Sequence, residues 1–180
     1  MFYDKLENME RIYIKDLKSK IGEEVKIAGW VDVRRDHGKL IFIDLRDMSS
    51  KVQMVALPSH KEAHEAASKI RSEWVLEIVG KVNKRPEKMV NKNEELGEVE
   101  VEITEVKILN EAVTPVFEIN NEGLEVNEET RLTNRYLDLR RNRLQKNLRM
   151  RHEVIRFFRN YLADKNFTEI ETPLLTKSTP

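Results

Sequence analysis

The sequence predicts a mainly β chain: five short strands closed into a small barrel, then a linker, then a long helix and an extended tail that open a second domain. Three observations predict it. Apolar and polar residues alternate in five separate runs before residue 110, one helical pattern interrupts those runs after the third, and helical periodicity takes over from residue 136.

The first run, Glu24 to Arg35 (EVKIAGWVDVRR), alternates around Val25, Ile27, Trp30 and Val33, as a half-buried strand does. Asp36-His37-Gly38-Lys39 reads as a turn, with Gly38 free to take positive φ. Leu40 to Arg46 (LIFIDLR) is the return strand, Met48-Ser49-Ser50 a second turn, and Lys51 to Leu57 (KVQMVAL) the third strand. Pro58 breaks the pattern. Ser59 is a suitable N-cap for a helix over His60 to Ser72, which places Ala63, Ala66, Ala67 and Ile70 on one face. Two further strands follow at Trp74 to Val82 and Glu98 to Leu109, separated by the polar loop Asn83 to Gly97. Three strands, a helix and two strands is the element order of the OB-fold, a five-stranded, partly open barrel. Another small β-barrel or α+β domain also satisfies the order.

Asn110 to Glu129 has no strong periodicity, contains Thr114-Pro115, Asn120-Asn121 and Gly123, and is strongly acidic; it reads as an interdomain linker. Tyr136 to Asp164 is one long helical pattern carrying Leu144, Leu148, Val154, Ile155, Phe158 and Leu162. Asn166 suits a left-handed position after that helix, and Phe167 to Leu175 runs extended with Pro173 fixing its direction. The expected organisation is a barrel over residues 1–109, a linker over 110–130 and the start of a second domain over 131–180. One helix and one strand cannot bury a core of their own, so that second domain looks unfinished.

Apolar residues make up 39% and charged residues 36%, which suits a well-solvated globular chain. No apolar run is long enough to span a bilayer, and the N-terminus lacks the apolar stretch of a signal peptide. Without cysteine there is no disulfide, thiolate metal site or thiol nucleophile, which fits a cytoplasmic location. The net charge of zero hides a segregation. Glu87 to Glu129 holds thirteen acidic and three basic residues, whereas Arg131 to Arg159 holds ten basic residues against Asp138 and Glu153. That asymmetry fits a polyanion partner, and fits equally a solvated helix whose arginines meet acids elsewhere.

OB barrels bind oligonucleotides on the face of their second and third strands, using aromatic side chains beneath unstacked bases and cations along the backbone. Candidates at fitting positions are Arg34 and Arg35 at the end of the first strand, Phe42 on the second and Gln53 on the third. Phe42 suits base stacking, and Gln53 offers one acceptor and two donors to a base edge. On pattern alone the plainer reading, Phe42 in the core and Gln53 an ordinary strand residue, fits better. There is no GxxxxGK[ST], GxGxxG or GxSxG motif. His60 and His64 stand four apart on a helix but have no third metal ligand nearby, and Glu169 and Glu171 are an ordinary spacing of two acids. No catalytic residue and no metal site is expected in this chain.

Four segments together resemble one family. Gly29 to Met54 (GWVDVRRDHGKLIFIDLRDMSSKVQM) is similar to the anticodon-binding OB domain of class II aspartyl-tRNA synthetases, Ile108 to Ile119 to that family's hinge, Arg131 to Arg141 (RLTNRYLDLRR) to the segment introducing its α+β catalytic domain, and Asn166 to Pro180 (NFTEIETPLLTKSTP) to class II motif 1. The resemblance implies that the barrel reads the anticodon of a tRNA. Phe42 and Gln53 fall on the stacking aromatic and the glutamine that take the central uridine, Arg35 on an arginine contacting the third base, and Glu100 on a glutamate reading the first. Arg34 belongs to the same arginine pair. The resemblance also implies a homodimer interface in the full-length enzyme, built by the long helix (Ile155, Phe158) and the strand carrying Pro173. It further implies an enzyme that activates aspartate with ATP and Mg and transfers it to tRNA.

The chain departs from the pattern at Asn166, where motif 1 usually has glycine, and at Val33, where many bacterial members have a further arginine. Motifs 2 and 3, with their ATP-binding arginines, lie beyond Pro180, so this chain alone is expected to bind tRNA, need no cofactor and form no aspartyl-adenylate. An asparaginyl or lysyl relative, or a free-standing OB module that binds RNA without catalysis, are the alternatives.

Overall fold

The computed structural model describes residues 9–175. The chain divides into two compact units, residues 1–116 and 117–180.

The first unit is a closed five-stranded barrel. Its strands are β1 (Glu24–His37), β2 (Leu40–Arg46), β3 (Lys51–Ala56), β4 (Val75–Lys84) and β5 (Val99–Asn110). They run in the order β1-β2-β3-β5-β4, with β4 closing back on β1. All pairings are antiparallel except β3 with β5, where Met54 faces Val101 and Ala56 faces Ile103 in parallel. Strand alternation sends one set of side chains inward. Val25, Ile27 and Val31 of β1, Ile41, Ile43 and Leu45 of β2, Val52 and Met54 of β3, Leu76 and Ile78 of β4, and Val99, Val101 and Ile103 of β5 form the core. The predicted turn after β1 tightens to Gly38-Lys39. His37 pairs with Leu40, and Gly38 takes φ +76°, a conformation open to glycine at little cost.

The helix between β3 and β4 is shorter than its sequence pattern. Helix α1 spans Lys61–Lys69 and buries Ala63 and Ala67. Its N-cap is His60 rather than Ser59, without a side-chain cap bond. At its other end Ile70 turns extended and is buried in the core, so burial of that side chain ends the helix before Arg71 and Ser72. Glu73, at φ 67°, then swings the chain into β4 while its carboxylate meets Arg46 at 2.8 Å.

The sequence patterns missed a 3-10 helix at Ile14–Lys20, whose Ile14 and Leu17 are fully buried in the barrel core. Asp47 anchors it. One carboxylate oxygen accepts from the Ile14 amide at 2.9 Å, and the other from the Ser49 and Ser50 amides in the β2–β3 turn. Burial raises this carboxyl's pKa, but those hydrogen bonds outweigh burial and hold it below the usual value.

In the second unit the helix predicted over Tyr136 to Asp164 is interrupted after its first residues, and a further helix precedes it, starting within the predicted linker. Helix α2 (Glu128–Thr133) begins at Asn127, whose side chain accepts from the Glu129 amide. A single turn α3 (Arg135–Asp138) follows, then α4 (Asn142–Ala163). The break lies at Arg141, extended at ψ 141°. Its guanidinium is fully buried, donating to Asp138 at 2.9 Å and to the Asn121 carbonyl at 2.9 Å while lying 4.9 Å from the Phe117 ring. A buried ion pair needs this many partners to offset desolvation, and satisfying them costs the helix a turn. Part of the predicted linker is therefore packed: Asn121 holds Arg141, and Ile119 is buried.

Helix α4 closes as expected. Asn166 is left-handed at φ 65°, its amide reaches the Ala163 carbonyl, and the Phe167 amide reaches Leu162, a Schellman closure. No residue of α4 is buried, so Ile155 and Phe158 are exposed. Residues 167–173, Pro173 included, are exposed and carry no strand, because an extended segment forms a ladder only beside a partner. Residues 176–180 of the motif-1-like segment lie outside the described residues.

Candidate nucleic-acid interface

The outward side chains of β1, β2, β3 and β5 form one surface, and register decides which residues share it. Arg35 pairs with Phe42, Phe42 with Val55, Asp44 with Gln53, and Val55 with Glu102. Positions two apart along each strand point the same way, so Arg35, Phe42, Asp44, Gln53, Glu100 and Glu102 belong to the outer face. Phe42 is half-buried and absent from the core cluster. The His37 ring meets it edge-on at 5.6 Å. The core reading of Phe42, simpler on pattern, is not what the fold adopts.

Arg34 does not join this face. It pairs with Ile43, an inward position, and its guanidinium donates to the Ala67 carbonyl at 3.1 Å and to Asp36 at 3.0 Å. Adjacent strand residues point to opposite sides, so Arg34-Arg35 cannot present two cations to one ligand. Arg34 ties β1 to the last turn of α1.

Two short relays flank Phe42. In the first, Arg35 Nη2 donates to Asp44 Oδ1 at 2.9 Å. Burial pushes the Asp44 carboxyl above its ordinary pKa, against the opposing pull of Arg35 and Lys51. In the second, Gln53 Nε2 donates to Glu100 Oε2 at 3.3 Å, and Arg85 Nε lies 4.0 Å from the same oxygen. Burial raises the Glu100 pKa too; Arg85 and the Gln53 bond oppose the rise and Glu102 adds to it. Beyond them, Glu102 accepts from Asn83 at 3.1 Å and lies 3.2 Å from His60 Nε2. The arginines and Lys51 at this face thus have carboxylate partners, and the expected flank of positive charge is a set of ion pairs.

The adjoining loops are pinned. Lys51 meets Glu94 at 3.2 Å and Ser50 donates to Glu95 at 3.2 Å, joining the β2–β3 turn to the β4–β5 loop. Gly97 lies against the Asn91 carbonyl so closely that a Cβ there would overlap it.

His60 and His64 serve different partners, Glu102 and the Lys39 carbonyl, and do not converge. Among the described residues no three His, Asp or Glu side chains assemble as a metal site would need. No helix there is long and apolar enough to cross a membrane.

Two residues of the face escaped the sequence reading. Asp44 is inside the quoted FIDLRD segment, but only register shows that it faces Gln53 and meets Arg35. Arg85 precedes Pro86 in a polar loop, and nothing in its neighbourhood distinguishes it from Lys84 or Lys88.

Comparison with known proteins agrees with this geometry. Residues 25–109 match the profile described as an OB-fold nucleic acid binding domain of the tRNA anticodon type, and residues 127–180 match tRNA synthetases class II (D, K and N). An aspartate–tRNA ligase of Oceanobacillus iheyensis is 53% identical over 173 residues, covering 95% of this chain and 29% of that protein. An aspartate–tRNA(Asp/Asn) ligase of Oleidesulfovibrio alaskensis is 53% identical over 161 residues, covering 89% and 26%. The chain therefore spans less than a third of the length of these relatives. Among solved structures, an Entamoeba histolytica asparaginyl-tRNA synthetase is 29% identical with a TM-score of 0.72, covering 96% of this chain and 39% of that one. The aspartyl enzyme of the same organism, 24% identical with a TM-score of 0.81 over 93% and 40%, shares the fold. The outward polar face on a closed OB barrel, the helical start of a class II domain and these likenesses agree: the chain belongs to the class II aspartyl-tRNA synthetase family, of which it spans the OB-type anticodon-binding domain and the opening of the synthetase domain.

Proposed function

We propose that this chain is the anticodon-reading part of an aspartate–tRNA ligase, and that Arg35, Phe42, Gln53 and Glu100 carry the reading. The observation that supports it is the shared outer face, with a half-buried aromatic between two polar relays. A base unstacked from the anticodon loop lies on Phe42, and stacking of this kind contributes about 1–3 kcal/mol per base. Gln53 turns its Nε2 donor from Glu100 to the base edge, where its acceptor oxygen is also on offer. Arg35 exchanges Asp44 for the third base or a neighbouring phosphate.

The whole enzyme, on this reading, activates aspartate with ATP and Mg in the cytoplasm and works as a homodimer. The exposed face of α4 with Ile155 and Phe158, and the segment around Pro173, belong to its subunit contact. On this reading the 180 residues contribute tRNA binding.

Titrating the chain with anticodon stem-loops bearing GUC, GUU and UUU tests the reading. Tightest binding to GUC supports an aspartyl reader; preference for GUU or UUU points to an asparaginyl or lysyl relative. Equal binding to all three and to an unrelated hairpin sinks anticodon recognition and leaves a general RNA-binding module. ATP–pyrophosphate exchange by the chain alone overturns the non-catalytic assignment.

A further inference from the structure

We propose that Arg85 is a positioning residue of this interface: a buried cation that holds the Glu100 carboxylate ionised and directed at the outer face, where it reads a base. The inference rests on the reading of Glu100 given above. It starts from a buried charge with too few partners. The Arg85 side chain is 6% exposed, yet Nε and Nη2 are buried without a hydrogen-bond acceptor, and Nη1 reaches only the Gly97 carbonyl, at 3.4 Å. A guanidinium carries five donors, and burying it without acceptors is costly. The nearest carboxylate is Glu100, 4.0 Å from Nε, an ion-pair distance not yet a hydrogen bond.

The fold arranges this meeting. β4 and β5 pair Lys84 with Val99, so Arg85 leaves β4 where Glu100 enters β5. The Arg85 amide donates to the Glu98 carbonyl at 2.8 Å, continuing the ladder one residue past the strand. Pro86 reinforces this by restricting Arg85 to extended backbone. The Arg85 backbone is therefore fixed by that ladder, and burial confines its side chain beside Glu100.

Glu100 needs the help. It is half-buried, Glu102 stands beside it with the same charge, and Gln53 gives it one neutral donor. His60 and Asn83 are spent on Glu102. Arg85 is the cation that opposes burial at Glu100. When a base approaches and takes the Gln53 amide, Glu100 loses that donor and the idle Nε of Arg85 is placed to replace it. A carboxylate so held accepts from the N–H groups of a guanine edge and rejects an edge that presents acceptors.

The test uses the 180-residue chain and RNA stem-loops with G or A at the first anticodon position. Binding is read by fluorescence anisotropy between pH 5.5 and 8.5, and Glu100 is titrated by carboxyl-carbon NMR without RNA. Arg85→Gln is expected to raise the Glu100 midpoint and to cut the preference for G about tenfold near neutral pH, the worth of one charge-assisted hydrogen bond. Raising the pH is expected to restore part of that preference, because Glu100 ionises again. Arg85→Lys, which keeps the charge but not the fork, is expected to fall between. Glu100→Gln should lose the preference at every pH, and adding Arg85→Gln to it should lose nothing more.

An unchanged Glu100 midpoint and unchanged preference in Arg85→Gln overturns the proposal. So does a uniform loss for both hairpins with no new pH dependence, which marks a purely structural arginine. If Arg85→Gln does not fold, an Arg85→Lys chain matching wild type in midpoint and preference has the same force. If Glu100→Gln discriminates like wild type, the reading of Glu100 itself fails, and the proposal with it; a raised midpoint in Arg85→Gln then shows that the pairing was real and the base contact was not.

Discussion

Arg35 and Asp44 face each other diagonally across β1 and β2, guanidinium to carboxylate at 2.9 Å, with Phe42 alongside in the same outer row. The pair is lopsided: the Arg35 side chain is 44% exposed, that of Asp44 8%. Arg35 can leave for a nucleic acid more easily than Asp44 can be left alone, because the buried carboxylate has no water to replace its partner. On the proposed reading, binding exchanges one ion pair of Arg35 for another.

Replacing Arg35 with Ala should weaken tRNA binding and flatten its salt dependence if the guanidinium reaches a phosphate. It should also alter stability against pH. The Asp44 pKa is already raised in the folded state, so stability is greatest where Asp44 is protonated and falls as pH rises through the folded value. Without Arg35 that rise grows, and the variant should lose more stability than wild type as pH rises above the ordinary aspartate range. Urea melts at several pH values measure it; parallel curves for the two proteins refute the coupling.

Phe42→Ala should cost about 1–3 kcal/mol of tRNA binding, the usual worth of a stacked base. Its folding cost should stay below the roughly 3–5 kcal/mol of a core phenylalanine, since Phe42 lies outside the core cluster. Calorimetric titration and thermal melts separate the two effects, and a collapsed melting temperature with intact affinity would assign Phe42 to packing.

Ser59→Ala should change stability by less than about 0.5 kcal/mol, because α1 begins at His60 without a cap from that hydroxyl. Asn127→Ala, by contrast, removes the bond to the Glu129 amide and should destabilise the start of α2 by about 1 kcal/mol. Hydrogen exchange at the first amides of each helix tells them apart.

Arg141→Met leaves the fully buried Asp138 carboxylate with Arg135 as its remaining ion-pair partner, 3.0 Å away. A cost of about 3 kcal/mol is expected, at the low end for a broken buried pair. Limited proteolysis between α3 and α4 should accelerate; an unchanged cleavage rate would show that Arg141 does not hold the break.

How much of this was legible in the sequence depended on whether the signal was local. The strands of the barrel announce themselves through period-two alternation, and Asn166 through its tolerance of left-handed backbone; both are decided within a few residues. The interface was legible in part, with Phe42, Gln53 and Glu100 on one outer face, whereas Arg34, read with Arg35, turned to α1. What escaped were outcomes set by distant partners. Ile70 leaves the helix because the core takes it, the long helical pattern breaks where Arg141 reaches back to Asn121, and Arg85 lies beneath Glu100 because two strands meet there. By itself the sequence determined the five strands and the helix after the third, since each follows from the spacing of its own apolar residues. Only the tertiary structure decided which polar side chains share a face and which charges are buried together, because register and desolvation are properties of segments in contact.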